Sequence, residues 1–286
     1  MNIFTAILYI IFAPVLGGLL SGFDRVITAR MQGRKGPPVF QPYYDVFKLF
    51  TKQNAVVNRA QTFFVLLFLV FTVFTGMIFF SGGDILLVIF ALTLAAIFLV
   101  ISAYSTNSPY SAIGAERELA QIMSYEPMVF FTAVGFYIVN RSFIINDFLI
   151  AEIPTILYIP GVFVGFIFIL TIKFRKSPFD LSTSHHGHQE LVKGITTEFS
   201  GPALAFVEIS HWYENILLLG FVYIFFSWNS IFSPFVAISV CIFVYFLEIL
   251  IDNISARVKW KLMLQISWIL AATIAFINLF LLNLIL

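Results

Sequence analysis

Two carboxylates and one imidazole lie within a single apolar run of the chain. Glu208, His211 and Asn215 are spaced at i, i+3 and i+7, so they share one face of a helix. Glu214 lies to one side of that face. Carboxyl groups inside a membrane protein can exchange protons near neutral pH, because burial disfavours the charged form. The pattern predicts a path for protons or ions, and a hydrogen-bond network that only joins helices is the alternative interpretation.

Further acids lie in the polar segments next to the apolar runs. They are Glu116, Glu126, Asp180, Glu190 and Glu198. An ionisable group at membrane depth is costly unless it is paired, neutralised or hydrated. Each of these acids is therefore a candidate member of the same proton or ion path.

Three histidines, His185, His186 and His188, form a second cluster. Histidine is a common metal ligand, but the spacing matches no closed zinc motif, and the single cysteine, Cys241, lies in an apolar run. Structural zinc sites and iron–sulfur clusters need several cysteines or a Cys/His set. We therefore expect no metal and no redox cofactor in this chain, and histidines that face solvent or a partner.

The composition excludes most soluble functions. Of the 286 residues, 60% are hydrophobic and 11% are charged, less than half the charged share of a typical soluble domain. So few charges cannot cover a soluble core, which excludes a soluble enzyme, a nucleic-acid binder and a disordered chain. No Walker A or dinucleotide-binding motif occurs either. A polytopic membrane protein is the class that fits.

Eight apolar runs have about the length that crosses a bilayer as a helix. They are residues 3–23, 61–80, 85–105, 127–140, 154–172, 203–227, 232–251 and 262–286. The first run lacks the basic segment and cleavage site of a signal peptide, so we expect it to be retained as a span. The sequence predicts an all-α membrane protein with eight transmembrane helices in a single transmembrane domain, residues 1–286.

The basic residues predict the orientation. Fifteen of the sixteen Lys and Arg residues lie in alternate connections, and only Arg141 lies on the other side. The positive-inside rule places these connections in the cytoplasm and both termini outside. The three long ones, residues 24–60, 106–126 and 173–202, are predicted to be loops that face partner proteins.

The first loop contains a short predicted helix. A Gly-Pro-Pro break at residues 36–38 precedes Pro42, which suits the first turn of a new helix. The apolar residues at helical spacing are Tyr43, Val46, Phe47 and Phe50. The helix is too short to span, so we expect it at the membrane interface. It could anchor the chain to the membrane surface or dock a partner.

Motifs in all three long loops resemble one membrane subunit of respiratory complex I. They are Arg34-Lys35-Gly36-Pro37-Pro38 with Gln41-Pro42, Asp45 and Lys48-Leu49; Ala120-Gln121 with Ser124-Tyr125-Glu126; and Pro178-Phe179-Asp180-Leu181 with Glu190-Leu191 and Glu198-Phe199-Ser200. This component of complex I has eight helices, contacts the peripheral arm and shapes the quinone chamber. The motifs occur in the same order and span most of the chain.

Other details are more similar to the homologous subunit of energy-converting [NiFe] hydrogenases of the Ech type and their membrane-bound relatives. Complex I usually has acidic residues in place of the three histidines, and residues 196–202 and 211–214 resemble the hydrogenase protein. This resemblance implies a prokaryotic plasma-membrane complex that oxidises ferredoxin, reduces protons and exports protons or sodium ions. It places the [NiFe] centre and iron–sulfur clusters in partner subunits. The implied partners are the hydrogenase large and small subunits, a ferredoxin-like cluster subunit and antiporter-like membrane subunits.

The predicted residue roles form two sets. The ion path comprises Glu126, Glu190, Glu198 and Glu208 first, then Glu116, His211, Glu214 and Asp180, which is also expected to order the third loop. The partner-docking set comprises Arg30, Arg34, Lys35, Gln41, Asp45, Lys48, Arg117, His185, His186 and His188. The path would carry a charge change at the docking surface towards the antiporter-like subunits.

Several alternatives stay open at this point. A quinone-reducing complex I-like dehydrogenase, a sulfane-sulfur reductase or a formate hydrogenlyase complex would use the same scaffold. A stand-alone secondary transporter would show inverted repeats or broken helices, and the two halves of the chain show no convincing repeat. A purely structural anchor leaves the carboxylates at 208 and 214 unexplained.

Overall fold

The chain folds into a bundle of α-helices in a computed structural model that describes residues 3–53, 58–179, 181–182 and 193–285. In chain order the helices are α1 (Ile3–Met31), α2 (Gln41–Thr51), α3 (Arg59–Phe80), α4 (Ile85–Tyr104), α5 (Pro109–Asn140), α6 (Ile145–Ile150), α7 (Pro160–Lys173), α8 (Gly201–Phe225), α9 (Ser233–Ile254), α10 (Trp260–Leu270) and α11 (Phe276–Ile285). Short 3₁₀ turns occur at Thr155–Leu157 and Gly194–Thr196, and a π-helical turn at Ala271–Ala275 joins α10 to α11. Since the described residues contain no strand beyond one isolated bridge between Asp84 and Ile144, the predicted all-α class is confirmed.

Seven of the eight predicted apolar runs coincide with helical segments, and the run 154–172 becomes helical as α7 only from Pro160 after a short 3₁₀ turn. Within the described residues, six segments are long and apolar enough to cross a membrane: α1, α3, α4, α5, α9 and the continuous α10–α11 segment. Helix α7 has 14 residues and rises only about 21 Å, less than the roughly 30 Å of hydrocarbon in a bilayer. Helix α8 is continuous over 25 residues, but ionisable side chains break its apolar run. The chain is a multi-pass membrane protein, and spans by α7 and α8 stay predictions.

The segment 106–126, predicted to be a loop, is helical from Pro109 onwards. Proline suits this first turn, because its missing N–H would have no intrahelical partner there. Further along α5, Gln121 Nε2 donates to the Phe179 carbonyl at 2.6 Å, and Ser124 Oγ donates to the Gln121 carbonyl at 2.7 Å. The amide N–H of Gln121 and the hydroxyl of Ser124 therefore have partners inside the bundle, and the helix continues where the polarity of the sequence suggested a loop.

The short helix predicted in the first loop is present as α2, with Pro42 in its first turn, while its position at the membrane interface stays a prediction. The Tyr43 ring lies 5.3 Å from the Trp212 ring of α8, and Val46 is buried in the same apolar cluster. Phe47, predicted to share this face, is instead 68% exposed. The apolar residues predicted to share one face are therefore separated: Tyr43 and Val46 pack on α8, and Phe47 is exposed on the surface of the chain.

Helix α8 is the centre of the bundle and packs on α1, α2, α3 and α9. At Gly17 of α1, a Cβ atom would lie 2.5 Å from the backbone oxygen of Trp212, so a larger residue would push the helices apart. The hydroxyl of Tyr9 donates to the Tyr213 carbonyl at 3.1 Å, and the hydroxyl of Tyr213 donates to the Ile10 carbonyl at 2.7 Å. These bonds hold α1 against the part of α8 that carries Glu214.

Candidate functional site

Two cations near the end of α7 pair with carboxylates on two other helices. Lys173 Nζ lies 3.1 Å from Glu214 Oε1 on α8. Arg175 Nη2 lies 2.8 Å from Glu118 Oε1 on α5. Arg175 has a left-handed backbone, with φ of 53°, which turns the chain sharply where α7 ends. The segment therefore joins α5, α7 and α8 by charge.

A third cation, Lys176, joins the two remaining helices of this end of the bundle. Its Nζ lies 2.7 Å from Asp24 Oδ2 on α1 and 3.8 Å from Asp252 Oδ2 on α9. The backbone N–H of Ser177 also donates to Asp252 Oδ1 at 2.8 Å. Three cations within four residues thus connect acids on α1, α5, α8 and α9.

We call one part of this network the buried ionic cluster: Glu118, Lys173, Arg175, His211 and Glu214. His211 Nδ1 lies 3.4 Å from Glu214 Oε2, and the His211 ring also contacts the Arg175 guanidinium. With a neutral imidazole, the cluster contains two cations and two carboxylates. Its formal charge is then zero, so protonating one member without displacing another would leave a net charge in the interior.

Two neighbours complete the cluster. The Ser182 hydroxyl donates to Glu118 Oε2, and Lys173 Nζ lies 4.2 Å from the centroid of the Tyr125 ring. The Glu118 and Glu214 residues are only 5% and 6% exposed. Charges interact strongly in such surroundings, and each depends on its partner because desolvation is costly. A charge change at one member would therefore be costly unless another member changes its charge or position.

A polar cavity of about 660 Å³, the polar chamber, reaches this cluster where α7 ends and α8 begins. Its charged lining includes Asp24, Arg25, Lys173, Arg175, Lys176, Lys193, Glu208, His211, Asp252 and Arg257. Within the cluster, Glu118, Lys173, Arg175 and Glu214 line a void of about 10 Å³ together with Gln121 and Tyr125, close to the room that one water molecule needs. The cluster therefore adjoins a polar chamber on one side and encloses a space for one water molecule.

The structure brings together some of the predicted path residues and separates others. His211 and Glu214 belong to the cluster, and Glu208 lines the polar chamber. Glu116 and Glu126 are exposed on α5, so their side chains lie outside the cluster.

The other predicted path residues lie near the third loop. Glu198 is half-buried before α8, where its backbone carbonyl accepts a hydrogen bond from Gln61 Nε2 at 3.1 Å. Asp180 and Glu190 lie outside the described residues. Of the residues predicted for the path, those that the structure brings together are therefore on α8, and the path itself stays a prediction.

Among the predicted docking residues, Gln41 and Asp45 form a small network beside the polar chamber. Arg25 Nη1 lies 2.7 Å from Asp45 Oδ2, and Gln41 Nε2 donates to Asp45 Oδ1 at 2.9 Å. Partial burial opposes ionisation of Asp45, but the hydrogen bonds from Arg25 and Gln41 and the charges of Arg25 and Lys48 outweigh it. The pKa of Asp45 therefore lies below its ordinary value.

The remaining docking candidates are in three different situations. Those exposed at this end of the bundle are Arg30, Arg34, Lys35 and Lys48. Arg117 is half-buried, and its guanidinium donates to the Leu181 carbonyl at 3.3 Å. Those outside the described residues are His185, His186 and His188. Within the described residues, no group of three His, Cys, Asp or Glu side chains could hold a metal ion.

Sequence reasoning did not select Glu118, Lys173 or Arg175 as site residues. Two signals could have found them. Glu118, Gln121 and Tyr125 have the i, i+3, i+7 spacing of one helix face, and three basic residues follow an apolar run within residues 173–176.

A bundle of apolar helices around paired internal charges and a polar chamber defines a multi-pass membrane protein with ionisable groups in its interior. A sequence model of the NADH dehydrogenase family matches residues 4–283. The chain belongs to this family, which confirms the resemblance to the complex I membrane subunit.

Similar proteins come from several kinds of complex. The chain is 26% identical to hydrogenase-4 component C of Escherichia coli (strain K12), over 89% of this chain and 88% of that protein. It is 26% identical to formate hydrogenlyase subunit 4 of the same organism, over 87% and 89%. It is 28% identical to a subunit of the NADH-quinone oxidoreductase of Bacillus thuringiensis subsp. konkukian (strain 97-27), over 99% and 94%.

A solved structure has the same fold. It is a chain of the membrane-bound sulfane sulfur reductase, an archaeal respiratory membrane complex. The TM-score is 0.86 at 23% identity, over 97% of this chain and 100% of that chain. The helical arrangement is therefore shared, while the activity has to be argued from the site.

Proposed function

We propose that the chain is the membrane-anchoring and energy-coupling subunit of a ferredoxin-dependent [NiFe] hydrogenase complex. Docked partner subunits would hold the [NiFe] centre and the iron–sulfur clusters, and this chain would hold no redox group. Its role would be to link their electron transfer to the export of protons or sodium ions. The observation that carries the proposal is the buried ionic cluster beside the polar chamber.

Charge balance explains how such a cluster could respond to electron transfer. One charge added about 5 Å from a carboxylate, at an effective dielectric constant of 20, is worth roughly 3 kcal/mol. That energy changes a protonation equilibrium roughly a hundredfold. A charge change in a partner at the polar chamber would therefore be large enough to load or unload a proton on the cluster.

The residues of this chain would then act in sequence. Movement of Lys173 or Arg175 towards the chamber would leave Glu214 or Glu118 without its cation, and that carboxylate would take a proton from chamber water. Return of the cation would release the proton. Glu126, exposed on α5, would pass the proton to an adjoining antiporter-like subunit.

The lining of the chamber favours a hydrogenase over a quinone-reducing complex. The residues that line it are mostly charged or polar, with few apolar side chains such as Phe174 and Trp212. Charged side chains that lose water to an apolar quinone tail would pay a desolvation cost. Quinone-dependent turnover by the complex would nevertheless favour that alternative, and ion flux by the isolated chain would favour a stand-alone transporter.

The proposal is tested with Glu214→Gln in the assembled complex. Hydrogen evolution from reduced ferredoxin and ion uptake are measured together in inverted membrane vesicles. We expect the number of ions transported per hydrogen molecule to fall several-fold, because Gln cannot carry the proton. When an ionophore dissipates any ion gradient across the vesicle membrane, the variant should still evolve hydrogen.

A matched control is Glu152→Gln, which changes an exposed glutamate in the connection between α6 and α7. It should leave the ion-to-hydrogen ratio unchanged. A normal ratio in Glu214→Gln would remove Glu214 from the path, and a complex without ferredoxin-dependent hydrogen evolution would refute the hydrogenase assignment.

A further inference from the structure

Glu248 on α9 differs from the carboxylates of the buried ionic cluster. It is 0% exposed, and neither of its carboxyl oxygens has a hydrogen-bond partner among the described residues. It lies six residues before the end of α9 at Ile254, about 9 Å along the helix axis. An ionised carboxylate is very unfavourable in such a position. The fold therefore tolerates Glu248 best as the neutral acid, in a place where an apolar residue such as Leu would be simpler to bury.

The charges around Glu248 come from the neighbouring network. Lys176 and Asp252 act electrostatically on its carboxyl group. Lys176 is only 6% exposed and is already close to Asp24 and Asp252. With Glu248 neutral, the Lys176 ammonium has two carboxylates close by, those of Asp24 and Asp252. Ionising Glu248 would add a third negative charge to the same group.

Lys176 can change this balance because of its position in the chain. It lies beyond the carboxyl-terminal end of α7, and its Nζ lies 5.8 Å from the centroid of the Tyr245 ring. Tyr245 is three residues before Glu248 on α9, so it lies on the same side of the helix. A shift of Lys176 away from Asp24 and along α9 would therefore bring a positive charge closer to Glu248.

Water can reach this group of residues from the polar chamber. Asp24, Lys176, Tyr245 and Asp252 all line the chamber, so protons are available one helical turn from Glu248. The end of α7 and the residues that follow it also carry Lys173 and Arg175 into the buried ionic cluster. Displacing this segment would change the charge balance at α8 and at α9 together.

We propose that Glu248 is a second proton-exchanging carboxyl, separate from the buried ionic cluster and controlled by the position of Lys176. A proton would move between chamber water and a Glu248 carboxyl oxygen, with no electron transferred and no bond broken other than O–H. Its use in ion export rests on the proposed function, but the exchange itself does not.

The test is infrared difference spectroscopy of the full chain reconstituted in phospholipid membranes. We expect the carbonyl stretch of a protonated, weakly hydrogen-bonded carboxylic acid, which shifts on H₂O/D₂O exchange and titrates reversibly with bulk pH. Glu248→Gln should remove this band, Glu248→Asp should keep it at a shifted frequency, and the exposed-site control Glu152→Gln should leave it unchanged. Lys176→Gln should preserve the band to higher pH, because the carboxylate would lose a nearby positive charge.

Identical spectra for the wild type and Glu248→Gln would overturn the inference, as would a Glu248 band insensitive to both pH and D₂O. If Glu248→Gln does not fold, Glu248→Asp still decides the assignment through its shifted frequency. The ion-to-hydrogen ratio of the Glu214→Gln complex is independent of these spectra. A normal ratio there together with the expected Glu248 band would refute the role of Glu214 in the proposed function and leave this inference standing.

Discussion

The two halves of α8 have opposite surroundings. The first half carries Glu208, His211 and Glu214 and faces the polar chamber and the buried ionic cluster. The second half, around Gly220, faces a cavity of about 410 Å³ lined mostly by apolar side chains. One continuous helix thus supports a charged interior at one end and an apolar one at the other.

The difference shows what stabilises each end. In the charged half, Glu214 is tolerated because Lys173 from another helix compensates it. In the apolar half, Gly220 allows the Phe79 ring to approach closely, so shape complementarity matters more than charge. Breaking a pair and filling a space should therefore have different consequences at the two ends.

Lys173→Met should have the largest effect on stability, because it leaves Glu214 buried without its cation. Removing one partner of a buried ion pair costs about 3–5 kcal/mol. Unfolding of the purified chain in detergent, followed by circular dichroism against temperature and denaturant, measures the loss. Lys261→Met, at an exposed position of α10, should change stability by less than about 0.5 kcal/mol. An equal loss of stability in the two variants would show that the buried pair of Lys173 with Glu214 contributes no more than an exposed lysine.

Gly220→Leu tests the apolar half. A Cβ atom at this position would lie 2.7 Å from Phe79 Cε1, so the larger side chain should cost about 1–3 kcal/mol through overpacking. The ion-to-hydrogen ratio of the assembled complex should stay normal, since the substitution is remote from the charged half. Val236→Leu, on an exposed part of α9, is the control for added volume. A changed ratio in Gly220→Leu would show that the two halves are coupled.

Asp45→Asn should have the smallest effect, because its ion pair with Arg25 is exposed. Pairs of this kind contribute about 0.2–1 kcal/mol and are screened by salt. The lowered pKa of Asp45 means that its contribution is present above the pKa of an unfolded aspartate, about 3.9, and is lost as the pH falls through the lower folded value. Unfolding midpoints of wild type and variant should differ slightly at pH 7 and converge at acidic pH or high salt. A difference that persists at acidic pH would contradict this origin.

Local sequence patterns predicted much of the fold but only part of the site. Apolar length located the helical segments, and the spacing of His211 and Glu214 identified the α8 part of the cluster. Glu118 was not selected although Glu116 and Glu126 of the same predicted loop were, because the sequence did not show which face of α5 is buried. Glu126 matched a family motif, yet its side chain is exposed on α5, while the preceding Tyr125 faces Lys173. Which side of α5 turns inwards depends on its packing against other helices.

By itself, the sequence determined that this is a helical membrane protein of the complex I membrane-subunit family. The lengths of the apolar runs, the helical spacing of residues and the order of the motifs are properties of the sequence. They do not depend on what the helices pack against. Tertiary structure decided the partners of the charges: Lys173 meets Glu214, Arg175 meets Glu118, and Glu248 meets no hydrogen-bonding group among the described residues. Such pairings join distant parts of the chain, and their energy depends on burial and on separations of a few ångströms that only the packed bundle sets.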